Sequence, residues 1–544
     1  MDSGTHQEDA GTDGGEPEWD GGTDPDAGTG LAFIQNDVPW TDVAGAPLRA
    51  QGGSMVWVDG VYYWFGQDFR KGGVGNINVY SSRDLSHWVF RNAVFQNDVT
   101  KNGIAWPHGT LGRPDVLYNA KDQRFVMILA FNPGGECPGA IGGGCRNRVE
   151  FLTSSSPTGD FSLQPDREIL WPDQTAGDGM GDHGAFLDSD GAAYLLFITD
   201  QCQPQSGSCD GVGNAAHSIA KLDAHFTAIS SILFTCWAPG GNRREALAMV
   251  REGGQYYLFS SQTHGWFSSS TGYKKSATLD GFSCTGGNLG SGWNLVPTVP
   301  ESFANNSYNT QHAFVLPVHS ASNDEYIYVG DRWSDRAEVG GVGLYFLTPL
   351  KFSAGVPSLI GRETFGLLSG PSGLALSLST PAGAEFNAVL NGGFEWDINP
   401  CKADQACAPV ETSFTGWTSS GSAAATPDGG HTGTYQLSQG APVPSFASSY
   451  QTVGSLSNGS YVLSAFVRAG GATVSRAVMK VSSSGTSSEF LLPLTDNWTE
   501  VSIPFSVTNA GMNASDGSAS VDFITSDPTG GFWSHVDDVR LWKK

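Results

Sequence analysis

Positive charge is scarce in this chain of 544 residues. Lys and Arg number 29 against 54 Asp and Glu, which gives a formal net charge of −25 at pH 7. An acidic surface repels phosphate groups, so this balance argues against nucleic acids and anionic membranes as partners. The sequence also lacks any apolar run of about 18 residues, so it predicts no membrane-spanning helix.

Charged residues of either sign are few. They make up 15% of the chain, whereas glycine occurs 72 times and aromatic residues make up 11%. This composition excludes a coiled coil or a helical bundle, which needs abundant Ala, Glu, Lys and Leu. Many glycines and aromatics with few charges are typical of all-β proteins with tight turns.

No Cys-x-x-Cys pair is present, which argues against a zinc site. The cysteines stand instead as neighbouring couples in Gly- or Pro-rich segments, as disulfides in an oxidising compartment do; free thiols in a cytosolic protein are the alternative. The simplest pairing is Cys137–Cys145, Cys202–Cys209, Cys236–Cys284 and Cys401–Cys407.

The first 30 residues contain nine acids and neither Lys nor Arg, and no secretory signal is visible. Such a segment buries too little apolar surface to become ordered. We expect residues 1–30 to be a disordered acidic spacer, with Met1 added for expression. The protein would then be secreted or anchored at the outer surface, behind a removed signal or lipid anchor.

A repeated pattern dominates residues 31–360. A turn with Gly, Asp, Asn or Gln precedes a short run of Tyr, Phe, Leu and Val, in 59–65, 123–129, 191–197, 254–259 and 324–329. Each unit is long enough for four strands, which predicts a five-bladed β-propeller. A pair of β-sandwiches is the alternative.

The remaining chain changes character. Residues 361–386 are mostly Gly, Ser, Pro, Leu and Ala, and we interpret them as a linker or as a strap over the propeller. Alternating apolar and polar residues in 461–467 and 501–507 predict half-buried strands. We therefore expect 387–544 to form a second all-β domain, a β-sandwich of the jelly-roll type.

A propeller brings the ends of its inner strands to one central depression. Its candidate polar residues are Gln51, Arg113, Asp115, Asp182, His183, Arg244, Glu245, Gln311 and His312, interleaved with Trp64, Trp106, Trp266 and Trp333. Carboxylates, amides and indoles suit a sugar, whose hydroxyls need planar hydrogen-bonding groups and whose apolar face packs on aromatic rings. For each Trp, packing between blades is the alternative.

Glu245 differs from the other candidates because it opens an apolar segment. A carboxyl that enters a core is costly unless it is paired or functional. A raised pKa is what a general acid needs.

These residues lie in stretches that resemble glycoside hydrolase family 43, and within it the branch that contains exo-β-1,3-galactanases. The matching stretches are 60–66 (GVYYWFG), 80–85 (YSSRDL), 113–119 (RPDVLYN), 244–246 (REA), 311–317 (QHAFVLP) and 330–333 (GDRW). The resemblance implies a five-bladed propeller and hydrolysis with inversion of configuration.

The resemblance also implies roles. Glu245 would be the general acid, and Asp182 the carboxylate that orients it and raises its pKa. Most family members have an Asp base in blade one, which is missing here. In the galactanase branch a glutamine at the Gln311 position is thought to act on the attacking water through its imidic-acid form. No cofactor is implied for catalysis.

The sequence departs from the family at three substrate-binding positions. Gly112 stands where relatives usually have Glu, Gln67 stands where they have another Glu, and Gln51 replaces a usual His. These changes can alter a sugar subsite without affecting the acid. The expected substrate-binding residues are Gln51, Gln67, Asp68, Arg113, Asp115, His183, Trp266, Arg332 and Trp333.

The C-terminal domain resembles jelly-roll carbohydrate-binding modules, in 390–395 (LNGGFE), 458–462 (NGSYV) and 536–541 (VDDVRL). The resemblance implies structural Ca²⁺ at Glu395 and Asp538; turn capping is the alternative. Trp417, Trp498 and Trp533 are candidates for stacking on a glycan, with core packing as the alternative.

The leading interpretation is an inverting exo-glycosidase that releases terminal sugar from a galactose- or arabinose-containing polysaccharide, best matched by an exo-β-1,3-galactanase. Two alternatives stay open. One is an arabinofuranosidase or galactofuranosidase on the same scaffold, and the other is a non-catalytic glycan-binding protein. We expect a monomer whose partner is a polysaccharide or an oligosaccharide.

Overall fold

The computed structural model describes most of the chain after residue 30, and within the described residues it is all-β with no α-helix. The described residues are 31–36, 40–68, 76–96, 110–132, 148–163, 178–201, 215–238, 244–263, 268–299, 303–318, 325–332, 344–370, 373–377, 389–396, 414, 416–426, 429–432, 435–456, 458–471, 475–508 and 517–544.

A short strand, β1 (Leu31–Gln35), precedes five consecutive sheets. Sheet one has β2 (Gln51–Val58), β3 (Val61–Asp68), β4 (Asn76–Ser82) and β5 (Val89–Phe95). Sheet two has β6 (Thr110–Asn119), β7 (Arg124–Asn132), β8 (Arg148–Ser154) and β9 (Ser162–Leu163). Sheet three has β10 (Asp178–Leu187), β11 (Ala193–Gln201), β12 (Ala215–Leu222) and β13 (Ile229–Ala238).

Sheets four and five complete this part of the molecule. Sheet four has β14 (Arg244–Glu252), β15 (Gln255–Gln262), β16 (Thr271–Ser276) and β17 (Asn294–Leu295). Sheet five has β18 (Thr298–Val299), β19 (Gln311–Val318), β20 (Glu325–Arg332), β21 (Leu344–Ser353) and β22 (Val356–Ile360). Neighbouring strands are antiparallel, except that β18 pairs with β22 in parallel.

The five repeated segments of the sequence form β3, β7, β11, β15 and β20. Each of these strands pairs with the first long strand of its sheet. Turn chemistry sets the first hairpin, because Asp59 and Gly60 both adopt positive φ, as a type I′ turn requires. The run of aromatic and β-branched residues that follows fits a strand that is buried on both faces.

Hydrophobic clusters lie between successive sheets. Phe65 of sheet one packs with Met127 of sheet two, and Ile128 packs with Leu195 of sheet three. Similar clusters join sheet three to four and sheet four to five. A fifth cluster, which contains Trp64 and Tyr345, joins sheet five back to sheet one. The five sheets therefore form a closed ring whose inner strands are β2, β6, β10, β14 and β19.

A small sheet follows the ring. Its strands β23 (Thr364–Gly370) and β24 (Gly373–Ser377) fall in the segment for which a linker or a strap is predicted. Strand β1 pairs with β23, Leu31 opposite Leu368, so the start of the described chain is joined to the segment that leaves the ring.

The last part of the chain forms two five-stranded sheets that share one core. In order, the strands of one sheet are β25 (Thr418–Gly421), β28 (Ser445–Leu456), β33 (Gly517–Asp527), β30 (Arg476–Ser483) and β31 (Thr486–Leu491). Those of the other are β26 (Ala423–Thr426), β27 (Gln436–Gly440), β34 (Trp533–Lys543), β29 (Gly459–Gly470) and β32 (Thr495–Val507). Buried side chains of both sheets pack together, as in a β-sandwich.

A disulfide joins Cys236 at the end of β13 to Cys284 in the segment between β16 and β17. This confirms one predicted pair. The other six cysteines lie outside the described residues, so their pairing stays a prediction. Within the described residues, no helical segment has the length and hydrophobicity needed to cross a bilayer.

Candidate active site

Each inner strand of the ring has a β-bulge near its start. The register shifts lie between Gln51 and Ser54, Gly112 and Asp115, Met180 and His183, Glu245 and Ala248, and His312 and Phe314. A bulge re-aims side chains out of the regular alternation and is over-represented next to active sites. The bulges contain or adjoin all three predicted catalytic residues.

Three bulges contain a residue with positive φ. These residues are Gly52 (60°), Arg113 (46°) and Ala246 (54°). The left-handed conformation costs a non-glycine residue on the order of 1 kcal/mol. At Arg113 and Ala246 the surrounding hydrogen bonds offset this cost.

Arg113 connects four of the five sheets. Its backbone N–H donates to Gln67 Oε1 of sheet one at 3.4 Å. Its Nη2 donates to the carbonyl oxygen of Ala313 in sheet five at 2.9 Å. Its Nη1 lies 3.5 Å from Asp182 Oδ2 of sheet three. The guanidinium therefore provides a fixed positive charge at one end of the ring.

Two acids near Arg113 hold their protons unusually strongly. Burial raises the pKa of Asp115 to about 8; Arg113 and the Ala185 N–H oppose this effect, and Asp182 adds to it. Burial also raises the pKa of Asp331 to about 7, although Arg113 and the Gly52 N–H lower it. Two carboxyls poised near neutrality at one end of a ring of strands are typical of a catalytic centre.

The histidines here are neutral. Burial lowers the pKa of His183 to about 4 and that of His312 to about 3. His183 Nε2 donates to the Ile128 carbonyl at 3.1 Å. The His183 Nδ1 and the His312 Nε2 have no hydrogen-bond partner among the described residues, although both atoms are buried. His183 is 3.5 Å from Asp115 Oδ2.

The structure brings the predicted acid and the predicted water-binding amide close to each other. His312, which follows Gln311, donates from Nδ1 to the carbonyl of Ala246, which follows Glu245, at 3.0 Å. Glu245 is half-buried and Gln311 is 7% exposed. The Asp182 side chain is 35% exposed and also lies at this end of the ring, beside Arg113.

Several predicted substrate-binding residues are deeply buried. Gln51 is fully buried, and neither its Oε1 nor its Nε2 has a partner among the described residues. Asp68 is 3% exposed and accepts from Asn78 at 3.4 Å. Arg332 is 2% exposed, donates to the Tyr308 carbonyl at 3.0 Å and lies over the Phe346 ring. The contacts described for Asp68 and Arg332 are with other protein groups, as expected of residues that stabilise the fold.

Of the four tryptophans predicted near the central depression, one lies within the described residues. Trp64 is buried against Trp40, Trp88 and Tyr345, so it is a packing residue. Trp106, Trp266 and Trp333 lie outside the described residues, and their role as sugar platforms stays a prediction.

One buried charged residue was missed by sequence reasoning. Asp331 belongs to the GDRW motif, from which only Arg332 and Trp333 were selected, yet its Oδ2 accepts the Gly52 N–H at 3.0 Å. The only signal for Asp331 in the sequence was its position beside residues already chosen. Arg244, which is among the predicted polar candidates, donates from Nε to Ser260 Oγ at 2.7 Å, and its guanidinium fixes the start of β14 directly before Glu245.

A cavity of about 860 Å³ runs along the axis of the ring and is lined by all five inner strands. This volume is within the range of small-molecule sites, about 300–1,000 Å³. Arg113, Asp115 and His183 line it, but Glu245, Gln311 and Asp182 do not. It extends toward the opposite ends of the strands, where Trp57 is 39% exposed. The predicted acid and the predicted amide thus lie at the bulges and not in the lining of this cavity.

The predicted metal residues of the sandwich each have protein partners. Glu395 Oε1 accepts the Tyr435 N–H at 2.6 Å. Asp538 accepts from His431 Nδ1 at 2.6 Å and from Thr432 Oγ1 at 2.7 Å. Within the described ranges, no group of three or more His, Cys, Asp or Glu is arranged to hold a metal ion. The predicted calcium site is therefore incomplete on these side chains alone.

The candidate stacking residues of the sandwich differ in exposure. Trp417 is 7% exposed and packs on Phe394 and Phe523 in the core, so it is not a stacking platform. Trp498 and Trp533 are half-buried on the outer face of the second sheet.

One protein-family model matches the part of the chain that forms the ring. The model of glycosyl hydrolases family 43 matches residues 47–340, which span all five inner strands. The chain belongs to glycoside hydrolase family 43. Members of this β-propeller family hydrolyse glycosidic bonds, typically with inversion, so this chain is a glycoside hydrolase.

Solved family 43 structures share the fold. An exo-β-1,3-galactanase from Phanerochaete chrysosporium, bound to β-1,3-galactotriose, is 20% identical with a TM-score of 0.53, and the match covers 94% of this chain and 100% of that one. An exo-β-1,3-galactanase from Clostridium thermocellum is 20% identical with a TM-score of 0.52, covering 75% and 83%. A search of curated proteins finds no match.

Proposed function

We propose that this family 43 protein is an inverting exo-β-1,3-galactanase, which removes galactose from the end of a galactan. The observation that carries the proposal is the hydrogen bond from His312 to Ala246, because it holds the backbone beside Gln311 against the backbone beside Glu245. The likeness to two exo-β-1,3-galactanases supports the substrate class.

The proposed reaction is a single displacement. Glu245 donates a proton to the glycosidic oxygen as the bond to the leaving sugar breaks. A water held by Gln311 attacks the anomeric carbon from the opposite face, which requires the two groups to be about 6.5–9.5 Å apart. Asp182, held by Arg113, orients Glu245. Arg113 adds a fixed positive charge.

Replacement of the acid tests this proposal. Glu245→Gln keeps the side-chain shape but removes the proton, so we expect kcat on β-1,3-galactobiose to fall at least about 100-fold. Nitrophenyl galactoside, whose leaving group needs little protonation, should lose much less. Glu252→Gln, at the other end of β14, is the matched control and should keep parental activity. Parental activity in Glu245→Gln would refute the assignment.

We propose that the five sheets are the five blades of the family propeller, with β2, β6, β10, β14 and β19 around its axis. The closed set of hydrophobic clusters between successive sheets supports this.

The departures from the family pattern at the sugar subsite leave a furanosidase as the second candidate function. At Gly112, where relatives usually have Glu, a Cβ would make only an ordinary contact, 3.7 Å from the Ala130 methyl group, so the missing carboxylate is not excluded by crowding. A panel of β-1,3-galactan, arabinan and nitrophenyl furanosides separates the outcomes. Release of arabinose or galactofuranose alone would assign a furanosidase, and binding without any product would indicate a glycan-binding protein.

We propose that the sandwich binds carbohydrate through the outer face of its second sheet. The Arg468 guanidinium lies 4.7 Å from the Trp498 ring centre, and the Trp533 ring lies 4.9 Å from His535. Gly470 lets the Trp533 ring lie close to β29, because a Cβ there would be 2.7 Å from the ring. Aromatic rings beside planar hydrogen-bonding groups suit sugars.

Binding to insoluble galactan tests this face. Trp533→Ala should weaken retention on the polysaccharide without changing kcat on a disaccharide. Phe490→Ala, which removes an exposed aromatic side chain from the other sheet, is the control. Equal retention of both variants and the parent would contradict the proposal.

We propose that the sandwich binds Ca²⁺ beside Asp537. Burial raises the pKa of Asp537 well above its usual value, and the neighbouring negative charges of Asp538 and Glu395 raise it further. A cation with oxygen ligands would relieve this repulsion, with backbone carbonyls completing the ligand set. An unchanged melting temperature after EDTA treatment would argue against it.

We propose that the protein works outside the cytosol, secreted or anchored at the outer surface. The Cys236–Cys284 disulfide supports an oxidising compartment. Detection of the native protein only in cytosolic fractions would overturn this assignment.

A further inference from the structure

Asp331 lies directly opposite Gln311 in sheet five. Residues opposed across an antiparallel pair project from the same face, with Cβ atoms about 4.5–5.5 Å apart. Tyr345 stands opposite Asp331 on β21, and its hydroxyl accepts the Ala50 N–H at 2.8 Å. The row Gln311, Asp331 and Tyr345 therefore faces sheet one, across the seam that closes the ring.

One carboxylate oxygen of Asp331 holds the bulge of β2. Oδ2 accepts the Gly52 N–H at 3.0 Å. Asp331 is 3% exposed, so bulk water does not compete strongly for its carboxylate. Gln311, directly opposite on β19, carries an amide on the same face as this carboxylate.

Gln311 by itself is a poor final acceptor for a proton. An amide is very weakly basic, so a proton taken from water on Oε1 must be balanced by loss of a proton from Nε2. A nearby carboxylate whose pKa is close to neutrality can receive that proton. Burial gives Asp331 a pKa of about 7, and the Arg113 guanidinium keeps it from rising further.

We propose that Asp331 is a positioning residue that orients the Gln311 amide and receives its proton during water attack. The water oxygen bonds to the anomeric carbon and gives one proton to Gln311 Oε1, while Gln311 Nε2 gives one to Asp331 Oδ1. Glu245 loses its proton to the leaving oxygen, so the site ends with Glu245 ionised, Asp331 protonated and Gln311 as the imidic acid. Exchange with solvent restores the starting state. This inference rests on the proposed function.

The test uses Asp331→Asn in the full chain. The variant keeps an acceptor oxygen for the Gly52 N–H but has no carboxylate, so kcat/KM on β-1,3-galactobiose should fall about 100-fold or more, with KM nearly unchanged. Azide attacks the anomeric carbon without losing a proton. It should therefore restore the rate of Asp331→Asn and yield α-galactosyl azide, and it should not restore Glu245→Gln on the same substrate.

The pH profile is the second readout. The ionised groups and phenols that face Asp331 are Arg113 from β6 and Tyr345 from β21, with Tyr328 on its own strand; the β2 group is an uncharged N–H. Burial raises the pKa values of both tyrosines above their usual value, so Asp331 is the acid of this group expected to titrate near neutral pH. The kcat/KM of the parent should rise with pH through about 7, and this limb should be missing in Asp331→Asn.

The outcomes separate the two proposals. An inactive Glu245→Gln with an active Asp331→Asn would overturn the Asp331 inference and leave the proposed function intact. A folded, inactive Asp331→Asn that azide does not restore would mean a structural role. If this variant fails to fold, the pH profile of the parent protein is the test. A kcat/KM that does not change between pH 5 and 8 would overturn the inference. An active Glu245→Gln would overturn the proposed function itself.

Discussion

Buried histidines join neighbouring sheets of the ring, each through a hydrogen bond with at least one partner on an inner strand. His183 Nε2 donates to Ile128, His217 Nε2 to Arg244 at 3.0 Å, and His312 Nδ1 to Ala246. A backbone carbonyl can only accept, so each bond fixes the tautomer of the ring. Burial lowers the pKa of His217 to about 3, as it lowers those of the other two.

These histidines predict a loss of stability in acid. Above about pH 6.5 they are neutral in both folded and unfolded chains, whereas at lower pH the unfolded chain takes up protons that the folded chain refuses until about pH 4 or below. Stability from these groups is therefore lost as the pH falls from about 6.5 to 4. His217→Gln can keep a donor to Arg244 but does not titrate.

The measurement is the melting temperature of both proteins at pH 7 and pH 4.5. The drop on acidification should be smaller in His217→Gln than in the parent. The difference between the proteins is the readout, because protonation of surface carboxylates relieves charge repulsion and acts in the opposite sense. Equal drops would contradict the prediction.

For single residues, the sequence predicted which side chains could belong to the site better than it predicted their contacts. Glu245 stood out because it opens an apolar strand, and Arg113 belonged to a recognisable turn. Asp331 was not predicted as a site residue because its partner Gly52 belongs to sheet one, far away in the sequence. No local pattern shows which residue 279 positions away will supply an N–H.

Strand β2 shows how the bulges depend on close backbone approach. A Cβ on Gly53 would overlap the carbonyl oxygen of Phe65 on β3. We therefore predict that Gly53→Ala destabilises the protein by about 3 kcal/mol or more, because the two strands cannot separate without breaking the bulge. Chemical denaturation measures this.

Gly454→Ala is the matched control for the bulge prediction. Position 454 also lies in a strand, and a Cβ there would meet nothing within 4 Å. Its effect should stay within about 0.5 kcal/mol. Similar unfolding midpoints for the two variants would show that the close approach at Gly53 carries no stability.

The elements themselves were largely predictable, whereas their irregularities were not. The repeated aromatic segments form buried strands, because a run of aromatic and β-branched residues after a Gly or Asp turn favours that structure. The five bulges leave no trace in apolar periodicity, since one extra residue looks like an ordinary interruption. The pairing of Leu31 with Leu368 joins positions too far apart for any pattern to connect.

Trp396 connects the ring to the sandwich. It is fully buried, and its ring packs edge-on against Phe303, Tyr308 and Phe346 in sheet five and the turn before it. Asn309 Nδ2 also donates to the carbonyl of Glu395 at 2.6 Å. The segment that opens the sandwich is thus packed into the wall of the ring.

Trp396→Ala should destabilise the protein by about 3–5 kcal/mol through the cavity that it leaves. Trp57→Ala is the matched control, since Trp57 is 39% exposed and should cost far less. Urea unfolding of both variants gives the comparison. A Trp396→Ala variant as stable as Trp57→Ala would show that the two parts of the molecule do not depend on this contact.

The all-β class was predicted from composition, because few charges with abundant glycine and aromatic residues exclude a helical bundle and are typical of β proteins with tight turns. The contact at Trp396 did not, because an aromatic residue after a Gly-rich segment also fits the core of its own domain. Neither composition nor sequence pattern predicts which sugar the site accepts, because that depends on subsite residues that differ from those of the family.

The central claim, single displacement with Glu245 as acid and water attack beside Gln311, is tested most directly by the anomer first released. Proton NMR during the first minutes of β-1,3-galactotriose hydrolysis should show α-galactose, which later mutarotates. Appearance of β-galactose first would mean retention and would contradict the account.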